Sequence, residues 1–217
     1  EEINLLKAFK ENDRLGGKDP YSSSKACAEL VSSAYRFSFL SKTNIAMATA
    51  RAGNVIGGGD WSYDRLVPDI IRALEIKEEV EIRNPKAIRP WQHVLEPLSG
   101  YLTLAQKLDS EGQNFAESWN FGPNEDDNKS VSWVVENLYD IWGVNSTWKD
   151  QTGDHPYEAE ILKLDITKAK KRLNWSPKWT LREALLSVTD WHKAFLNKED
   201  MRLKTLEQIN EYSSKTV

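Results

Sequence analysis

Two consecutive segments decide the fold: DPYSSSKACAELVSSAYRFSFL at residues 19–40 and IAMATA at residues 45–50. The first begins with Asp19 and Pro20, a pair typical of a helix start because aspartate accepts hydrogen bonds from the first turn and proline needs no donor there. Its apolar and small residues recur every three or four positions, which predicts a helix buried along one face: Ala26, Leu30, Ala34, Phe37 and Leu40. The second segment is short and nearly all apolar, as expected of a parallel strand covered on both faces.

The rest of the chain keeps alternating between helical and strand patterns. Apolar periodicity predicts helices over residues 65–77, 96–108, 130–142, 165–173 and 180–196, and from about 199 to the end. Short apolar runs predict strands over residues 80–83, 119–122 and 162–164, and the polar stretch 124–129 is predicted to be a loop. This alternation indicates an α/β protein.

Composition restricts the partners of the protein. A net charge of −4 with both signs interspersed argues against nucleic-acid binding, which needs clustered positive charge. No apolar run approaches the roughly 20 residues of a membrane span, and the acidic first residues do not resemble a signal peptide. Cys27 is the single cysteine, and no Cys/His cluster has zinc spacing, so we expect no metal site and a cytoplasmic location.

Tyr21 and Lys25 lie four positions apart, and therefore on one face at the start of the long predicted helix. A tyrosine has a reference pKa of about 10, and a nearby ammonium favours its charged phenolate form. The pair can therefore act on one reacting centre as a general base. The spacing alone is a weak signal, because seven tyrosines and 29 basic residues in 217 positions give roughly one such pair by chance.

Separated blocks of sequence around this pair resemble those of a known family. DPYSSSKACAE at residues 19–29 resembles the D-P-Y-x-x-S-K-x-x-x-E block of the extended short-chain dehydrogenases/reductases that act on nucleotide sugars. The blocks ARAGNVIGGGD (50–60), IRPWQHV (88–94), WNFGP (119–123) and HPYEA (155–159) follow in the family's order. Within the family, RAGNVIGGGDW and IRPWQHVLEPLSGY are most similar to the dehydratases of CDP-glucose. The resemblance extends from about Glu11 over the rest of the chain.

The resemblance implies the C-terminal part of a Rossmann-type doubly wound parallel sheet plus a smaller mixed α/β substrate-binding domain. Residues 1–55 and 93–125 would belong to the NAD-binding domain, and residues 56–92 and 126–217 to the substrate domain. It further implies NAD as cofactor, CDP-glucose as sugar-nucleotide substrate and a homodimer for the full-length enzyme. In the implied reaction NAD accepts hydride from C4, water leaves across C5 and C6, and the hydride returns to C6. The product class belongs to deoxysugar and lipopolysaccharide O-antigen biosynthesis.

The resemblance also implies roles for individual residues. Tyr21 would take the proton from the sugar 4-hydroxyl, and Lys25 would tune Tyr21 and hold the cofactor ribose, with Arg51 as a further cofactor contact. Asn54 would contact the substrate diphosphate, and Arg89 would bind phosphate or the nucleotide ribose with its planar fork. The remaining candidates are those bordering the nucleotide base and those in the later matching blocks: Arg65, Leu66, Arg83, Asn120 and His155.

The sequence departs from the family pattern in two places. The 217 residues contain neither the G-x-x-G-x-x-G turn that binds pyrophosphate nor the T-S-D-type block that precedes the tyrosine. Gly57, Gly58 and Gly59 follow a different strand and are predicted to shape a tight loop on the substrate side. We therefore expect a truncated portion of an enzyme, with uncovered helix faces, low stability or self-association, and little activity alone. A non-catalytic sugar-nucleotide-binding or assembly module, and a related dehydratase or epimerase using another nucleotide, remain as alternatives.

Overall fold

The computed structural model describes residues 7–145, 147–151 and 159–216, and it has the predicted α/β architecture. The helices are α1 (Pro20–Tyr35), α2 (Leu66–Ile76), α3 (Leu95–Glu111), α4 (Val131–Trp142), α5 (Thr167–Leu173), α6 (Leu181–Leu196) and α7 (Met201–Ser214). The strands are β1 (Thr49–Ala52), β2 (Asn54–Ile56), β3 (Glu81–Ile82), β4 (Ile88–His93), β5 (Ser118–Phe121), β6 (Asn128–Ser130) and β7 (Lys149–Asp150). In the described part of the chain, no helix combines the length and apolar character needed to cross a membrane.

The start of α1 is the one that its sequence predicts. The Asp19 carboxylate accepts a hydrogen bond from the Ser22 backbone N–H at 2.9 Å, and Pro20 occupies the first helical position. The α-helix ends at Tyr35, and a π-helical turn covers residues 36–40. Tyr21 and Lys25 are consequently held at the well-capped end of a regular helix.

The polypeptide from Thr49 to Ile56 changes its pairing partner at Gly53. β1 pairs in parallel with β5, whereas β2 pairs in parallel with β4, which also pairs antiparallel with β6. A Cβ atom at Gly53 would lie 2.3 Å from the carbonyl oxygen of Pro90, so only glycine fits where the backbones meet. The Gln92 side-chain amide donates to the Phe121 carbonyl at 2.9 Å and so links β4 to β5.

Two clusters of buried apolar residues form the cores. One joins β2 and β4 to α2, α4 and α6, through residues that include Ile56, Ile70, Trp91, Leu138 and Leu185. The other joins β5 to α3 and α5, through residues that include Leu104, Trp119, Phe121, Leu173 and Trp175. Residues 166–175 thus pack in the same cluster as residues 104–121. The division into domains at residues 55, 92 and 125 stays a prediction.

The burial predicted for the long helix is wrong. None of the 16 residues of α1 is buried, and Leu30 and Phe37 from its predicted apolar face are 58% and 71% exposed. Helical periodicity shows which side chains share a face, but it does not supply an element to cover that face. Within the described chain α1 therefore exposes apolar side chains to solvent. This agrees with the uncovered helix faces that were expected of a truncated portion of an enzyme.

Three predicted strand or loop boundaries also differ. The strand expected over residues 45–50 begins only at Thr49, because its partner β5 begins at Ser118, opposite Thr49. The strand expected over residues 162–164 is absent, and two isolated bridges flank it instead, Ile88 to Ile161 and Phe9 to Leu164. The polar stretch 124–129 contains a 3-10 turn and the start of β6. Each difference arises because pairing depends on a partner that is distant in sequence.

Candidate active site

A cavity of about 660 Å³ lies beside β2 and β4, within the size range of small-molecule sites. Its walls come from the start of α1, the loop over residues 57–65, the start of α2, and residues 80–84 around β3. Six of the residues singled out from the sequence line it: Tyr21, Asn54, Arg65, Leu66, Arg83 and Arg89. The structure therefore brings the predicted base and the predicted phosphate-binding residues to one cavity.

Tyr21 and Lys25 face the same side of α1. The Lys25 ammonium lies 5.6 Å from the centroid of the Tyr21 ring, close enough for a cation–π interaction. Tyr21 is 72% exposed and borders the cavity, whereas Lys25 lies behind it, outside the cavity lining. The ammonium and the phenol ring are thus held side by side at the start of the helix.

The cavity combines cationic and anionic side chains. Three arginines and four acidic residues border it: Arg65, Arg83, Arg89, Asp60, Asp64, Asp69 and Glu81. Guanidinium groups bind phosphate, while carboxylates accept hydrogen bonds from hydroxyl and amine groups. This lining can therefore contact both phosphate groups and hydroxyl groups of a ligand.

Arg89 and Asp60 are held by their surroundings. Arg89 is 6% exposed, and its Nη1 donates to the carbonyl oxygens of Ile88 at 2.9 Å and Glu160 at 3.3 Å. Burial raises the pKa of Asp60, but donors from Ser62 and nearby guanidinium charges outweigh it, so the pKa lies below its ordinary value of 3.8. Asp60 therefore presents a negative charge to the cavity at neutral pH.

Arg51 lies outside the cavity lining and forms an ion pair with α1. Its Nη2 is 2.7 Å from Glu29 Oε2, and the same oxygen accepts hydrogen bonds from Thr49 at 2.9 Å and Ser118 at 3.1 Å. Burial raises the pKa of Glu29, but the hydrogen bonds and the charge of Arg51 lower it further, so the net shift is downward. This network, which we call the Glu29 anchor (Glu29, Thr49, Arg51, Ser118), ties α1 to β1 and β5. A contact of Arg51 with a cofactor stays a prediction.

Asn120 also lies away from the cavity lining. It is 1% exposed, its backbone N–H donates to the Glu11 carboxylate at 3.0 Å, and its side-chain amide donates to the Phe9 carbonyl at 3.0 Å. These bonds hold the segment around residues 9–11 against the end of β5. His155, the other candidate from the later blocks, falls outside the described residues.

Three residues that line the cavity or hold the neighbouring segments were not identified from the sequence: Glu11, Glu29 and Asp60. Glu29 stood in the matching helix block and Asp60 directly after the glycine run, but neither position reveals its long-range partner. Glu11 stood where the resemblance begins. Over the described ranges 7–145, 147–151 and 159–216, no group of three His, Cys, Asp or Glu side chains is arranged to hold a metal ion.

Comparison with known proteins relates the chain to nucleotide-sugar enzymes. It is 50% identical over 213 residues to the CDP-glucose 4,6-dehydratase of Salmonella typhimurium, and this match covers 96% of this chain and 59% of that protein. It is 27% identical over 190 residues to UDP-glucuronic acid decarboxylase 1 of Arabidopsis thaliana, covering 86% of this chain and 40% of that protein. The chain thus spans 59% and 40% of the length of these two relatives.

Solved structures show the same fold. The dTDP-glucose 4,6-dehydratase of Bacillus anthracis in complex with NAD matches with a TM-score of 0.71 and 22% identity, covering 88% of this chain and 57% of that one. The UDP-glucuronic acid 4-epimerase of Bacillus cereus, in complex with UDP-glucuronic acid and NAD, matches with a TM-score of 0.74 and 22% identity, covering 87% and 57%. These matches establish a Rossmann-type α/β fold. The family model described as GDP-mannose 4,6 dehydratase matches residues 5–187, well over half of the 217 residues, and the chain therefore belongs to that family.

Proposed function

We propose that this chain supplies the proton-transfer pair and the sugar-nucleotide cavity of an NAD-dependent CDP-glucose 4,6-dehydratase, a lyase that forms CDP-4-keto-6-deoxyglucose. The observation that carries the proposal is the presence of Tyr21 and three arginines around one cavity. The 50% identity to a CDP-glucose 4,6-dehydratase supports this choice of nucleotide.

Tyr21 is the general base in this proposal. Its phenol takes the proton of the sugar 4-hydroxyl, and the neighbouring Lys25 ammonium stabilises the phenolate. NAD, when bound, supplies the hydride acceptor for C4. Tyr21 and Lys25 fit the reacting end of such a cofactor, because the phenol is exposed at the cavity with the ammonium behind it. The 217 residues contain no G-x-x-G-x-x-G turn, so the proposal assigns to NAD only Tyr21, Lys25 and the predicted contact of Arg51.

Arginines and Asn54 bind the diphosphate and nucleotide. Two backbone carbonyls hold the guanidinium of Arg89, so it can bind a phosphate group without losing much conformational freedom. Arg65 and Arg83 are exposed side chains on the cavity wall and supply further positive charge for the ligand. Together they would retain the sugar nucleotide while Tyr21 reaches its 4-hydroxyl.

The proposal includes a homodimer in the cytoplasm that takes part in deoxysugar and O-antigen biosynthesis. Support for a second copy comes from the exposed apolar side chains of α1 and the turn after it, which are 56% to 71% exposed: Leu30, Val31, Tyr35, Phe37 and Phe39. Apolar patches of this kind mark interaction surfaces in stable proteins. Cys27 is an exposed, unpaired thiol, as is usual in a reducing compartment.

Calorimetric titration of the chain with CDP and with UDP tests the proposal. CDP should bind, and Arg65→Ala and Arg83→Ala should each weaken its binding by about 10- to 100-fold, because a hydrogen bond to a charged group contributes about 1.5–3 kcal/mol. Arg182→Ala is the matched control, since Arg182 is an exposed arginine that pairs with Asp140 away from the cavity. Its CDP affinity should equal that of the wild type.

The outcomes separate the alternatives. UDP binding as tight as CDP binding would favour a related enzyme with another nucleotide. CDP binding combined with no NAD-dependent turnover, even in a chain that includes the glycine-rich turn, would favour a non-catalytic binding module. CDP affinity that is unchanged in both cavity variants would show that this cavity is not the nucleotide site.

A further inference from the structure

The loop over residues 57–65 forms one wall of the cavity without belonging to either apolar core. Gly57, Asp60, Asp64 and Arg65 line the cavity, and residues 61–65 are exposed. A wall of this kind needs an external support if its charged side chains are to keep one position. The structure shows such a support on α6.

The support is an aromatic surface that receives Trp61. The centroid of the Trp61 ring lies 4.9 Å from that of Phe195, 5.1 Å from that of His192 and 6.3 Å from that of Trp191. Trp191 and Phe195 are stacked with an interplanar angle of 7°. We call these three residues of α6, Trp191, His192 and Phe195, the aromatic socket. Offset and edge-on ring contacts at such distances are attractive beyond simple area burial.

The socket is uncharged at neutral pH. His192 is 1% exposed, and burial lowers its pKa to about 4, with Asp60 opposing the shift. Trp191 is itself fixed, because its indole N–H donates to the Thr205 hydroxyl of α7 at 3.0 Å. Trp61 therefore meets a neutral and well-anchored surface.

The glycine run lets the backbone of the loop approach the socket. A Cβ atom at Gly58 would lie 2.2 Å from Cγ of Trp191, and one at Gly59 would lie 3.2 Å from the same ring. Gly59 also has a φ of +78°, which glycine adopts readily. Contact with Trp191 thus explains why the loop is made of small residues immediately before Asp60 and Trp61.

A second anchor comes from α2. Arg72 donates from Nη1 to the Trp61 carbonyl at 3.2 Å and from Nη2 to the Ser62 carbonyl at 3.1 Å. Its guanidinium also lies 4.6 Å from the centroid of the Tyr63 ring. The loop is therefore attached on both sides, with Trp61 at the junction of the two attachments.

We propose that Trp61 is a positioning residue, which, seated in the aromatic socket, fixes Asp60 and Arg65 on the cavity wall for the incoming sugar nucleotide. The assignment of the ligand rests on the proposed function, whereas the anchoring itself does not. Trp61 is 45% exposed and lies outside the cavity lining, so it acts through its neighbours and not by touching the ligand.

Two measurements on Trp61→Ala test this proposal: hydrogen exchange of the amides in residues 57–65, and the affinity for CDP. Exchange in the loop should accelerate by about tenfold, and CDP binding should weaken by about tenfold, because a disordered wall must be ordered again on binding. Trp61→Phe keeps a ring in the socket and should restore most of both properties. Leu186→Ala is the matched control, since Leu186 is 46% exposed on the same α6 but lies outside the socket.

Each outcome supports or overturns the proposal. Loop exchange that is the same in Trp61→Ala and in the wild type overturns it, whether or not CDP binds. Faster exchange with unaltered CDP affinity overturns the positioning role. Faster exchange in a protein whose wild type binds no CDP refutes the proposed function but retains the anchoring of the loop. A comparable effect from Leu186→Ala would show that general destabilisation of α6 is the cause.

Discussion

Replacing Glu29 with alanine should loosen α1 and, with it, the position of Tyr21. Helix α1 has no buried residue, so apolar packing contributes little to its attachment within the described chain. The Glu29 anchor supplies polar contacts in its place, with side-chain exposures of 15% for Glu29 and 22% for Arg51. The substitution removes the carboxylate that these contacts share.

The magnitude follows from the three hydrogen bonds that end on Glu29 Oε2. A hydrogen bond to a charged group contributes about 1.5–3 kcal/mol, and bonds that share one atom are not additive, so we expect a total of about 2–3 kcal/mol. At about 1.4 kcal/mol per factor of ten, opening of α1 becomes about 30- to 150-fold more frequent. The Arg51 guanidinium, whose Nε is already buried without a hydrogen-bond partner, would lose its carboxylate as well.

Amide hydrogen exchange of residues 20–35 measures this opening directly. Exchange in Glu29→Ala should rise toward the rate of unstructured peptide, whereas Glu111→Ala, which removes a partly exposed pair with Lys107, should have a small effect. The pKa of Glu29 is lowered below its ordinary 4.5, so its contribution is complete above that pH and is lost as the pH falls through the lowered pKa. The wild type should therefore show the same loosening in acid. Unchanged exchange of α1 in Glu29→Ala would refute the reasoning.

Two further predictions concern buried polar groups. Tyr212→Phe should lower the free energy of unfolding, measured by urea titration, by about 1.5–3 kcal/mol, because the Tyr212 hydroxyl donates to the buried Glu96 carboxylate at 2.8 Å. Tyr35→Phe is the control and should change the free energy of unfolding little, because Tyr35 is exposed. Equal effects of the two substitutions would contradict the role of the Tyr212 hydrogen bond. Burial lowers the pKa of His93 from 6.5 to about 4, so folding stability should fall by about 3 kcal/mol between pH 6.5 and pH 4 as the unfolded chain takes up the proton. The slope of unfolding free energy against pH should flatten in His93→Gln, and an identical slope would count against this role.

Local signals in the sequence predicted the helix starts to within two residues, and they singled out residues that the structure places at one cavity. Asp19 and Pro20 specify the beginning of α1 by hydrogen bonding and by fixed backbone geometry, both of which act over a few residues. The motif resemblance placed Tyr21, Arg83 and Arg89 in one site, and the cavity contains all three. Helix-start residues and family blocks can both be recognised within short stretches of the sequence.

Properties that depend on distant partners could not be predicted in the same way. The family block over residues 88–94 was not predicted to be a strand, yet Ile88–His93 forms the largely buried strand β4. Arg89 and Pro90 break the apolar pattern of a strand, and its partners β2 and β6 are distant in sequence. Gly58 packs against Trp191, which is more than 130 positions away in the sequence. The glycine itself is the only sign of this contact in the sequence around residue 58. Arg51 lies in a family block and was predicted to contact the cofactor, but in the structure it forms an ion pair with Glu29.

The change of partner at Gly53 makes the length of residues 49–56 more constrained than their identity. Successive side chains of a strand point to opposite faces, so one inserted or deleted residue would turn Asn54 away from the cavity. Tyr21 is tied to the β1 side of this segment by the Glu29 anchor, and Arg89, proposed to bind phosphate, lies on β4, the partner of β2. Homologous chains can therefore vary in composition along this stretch, but an added residue there would change the separation between the proposed base and the arginines proposed to bind the same substrate.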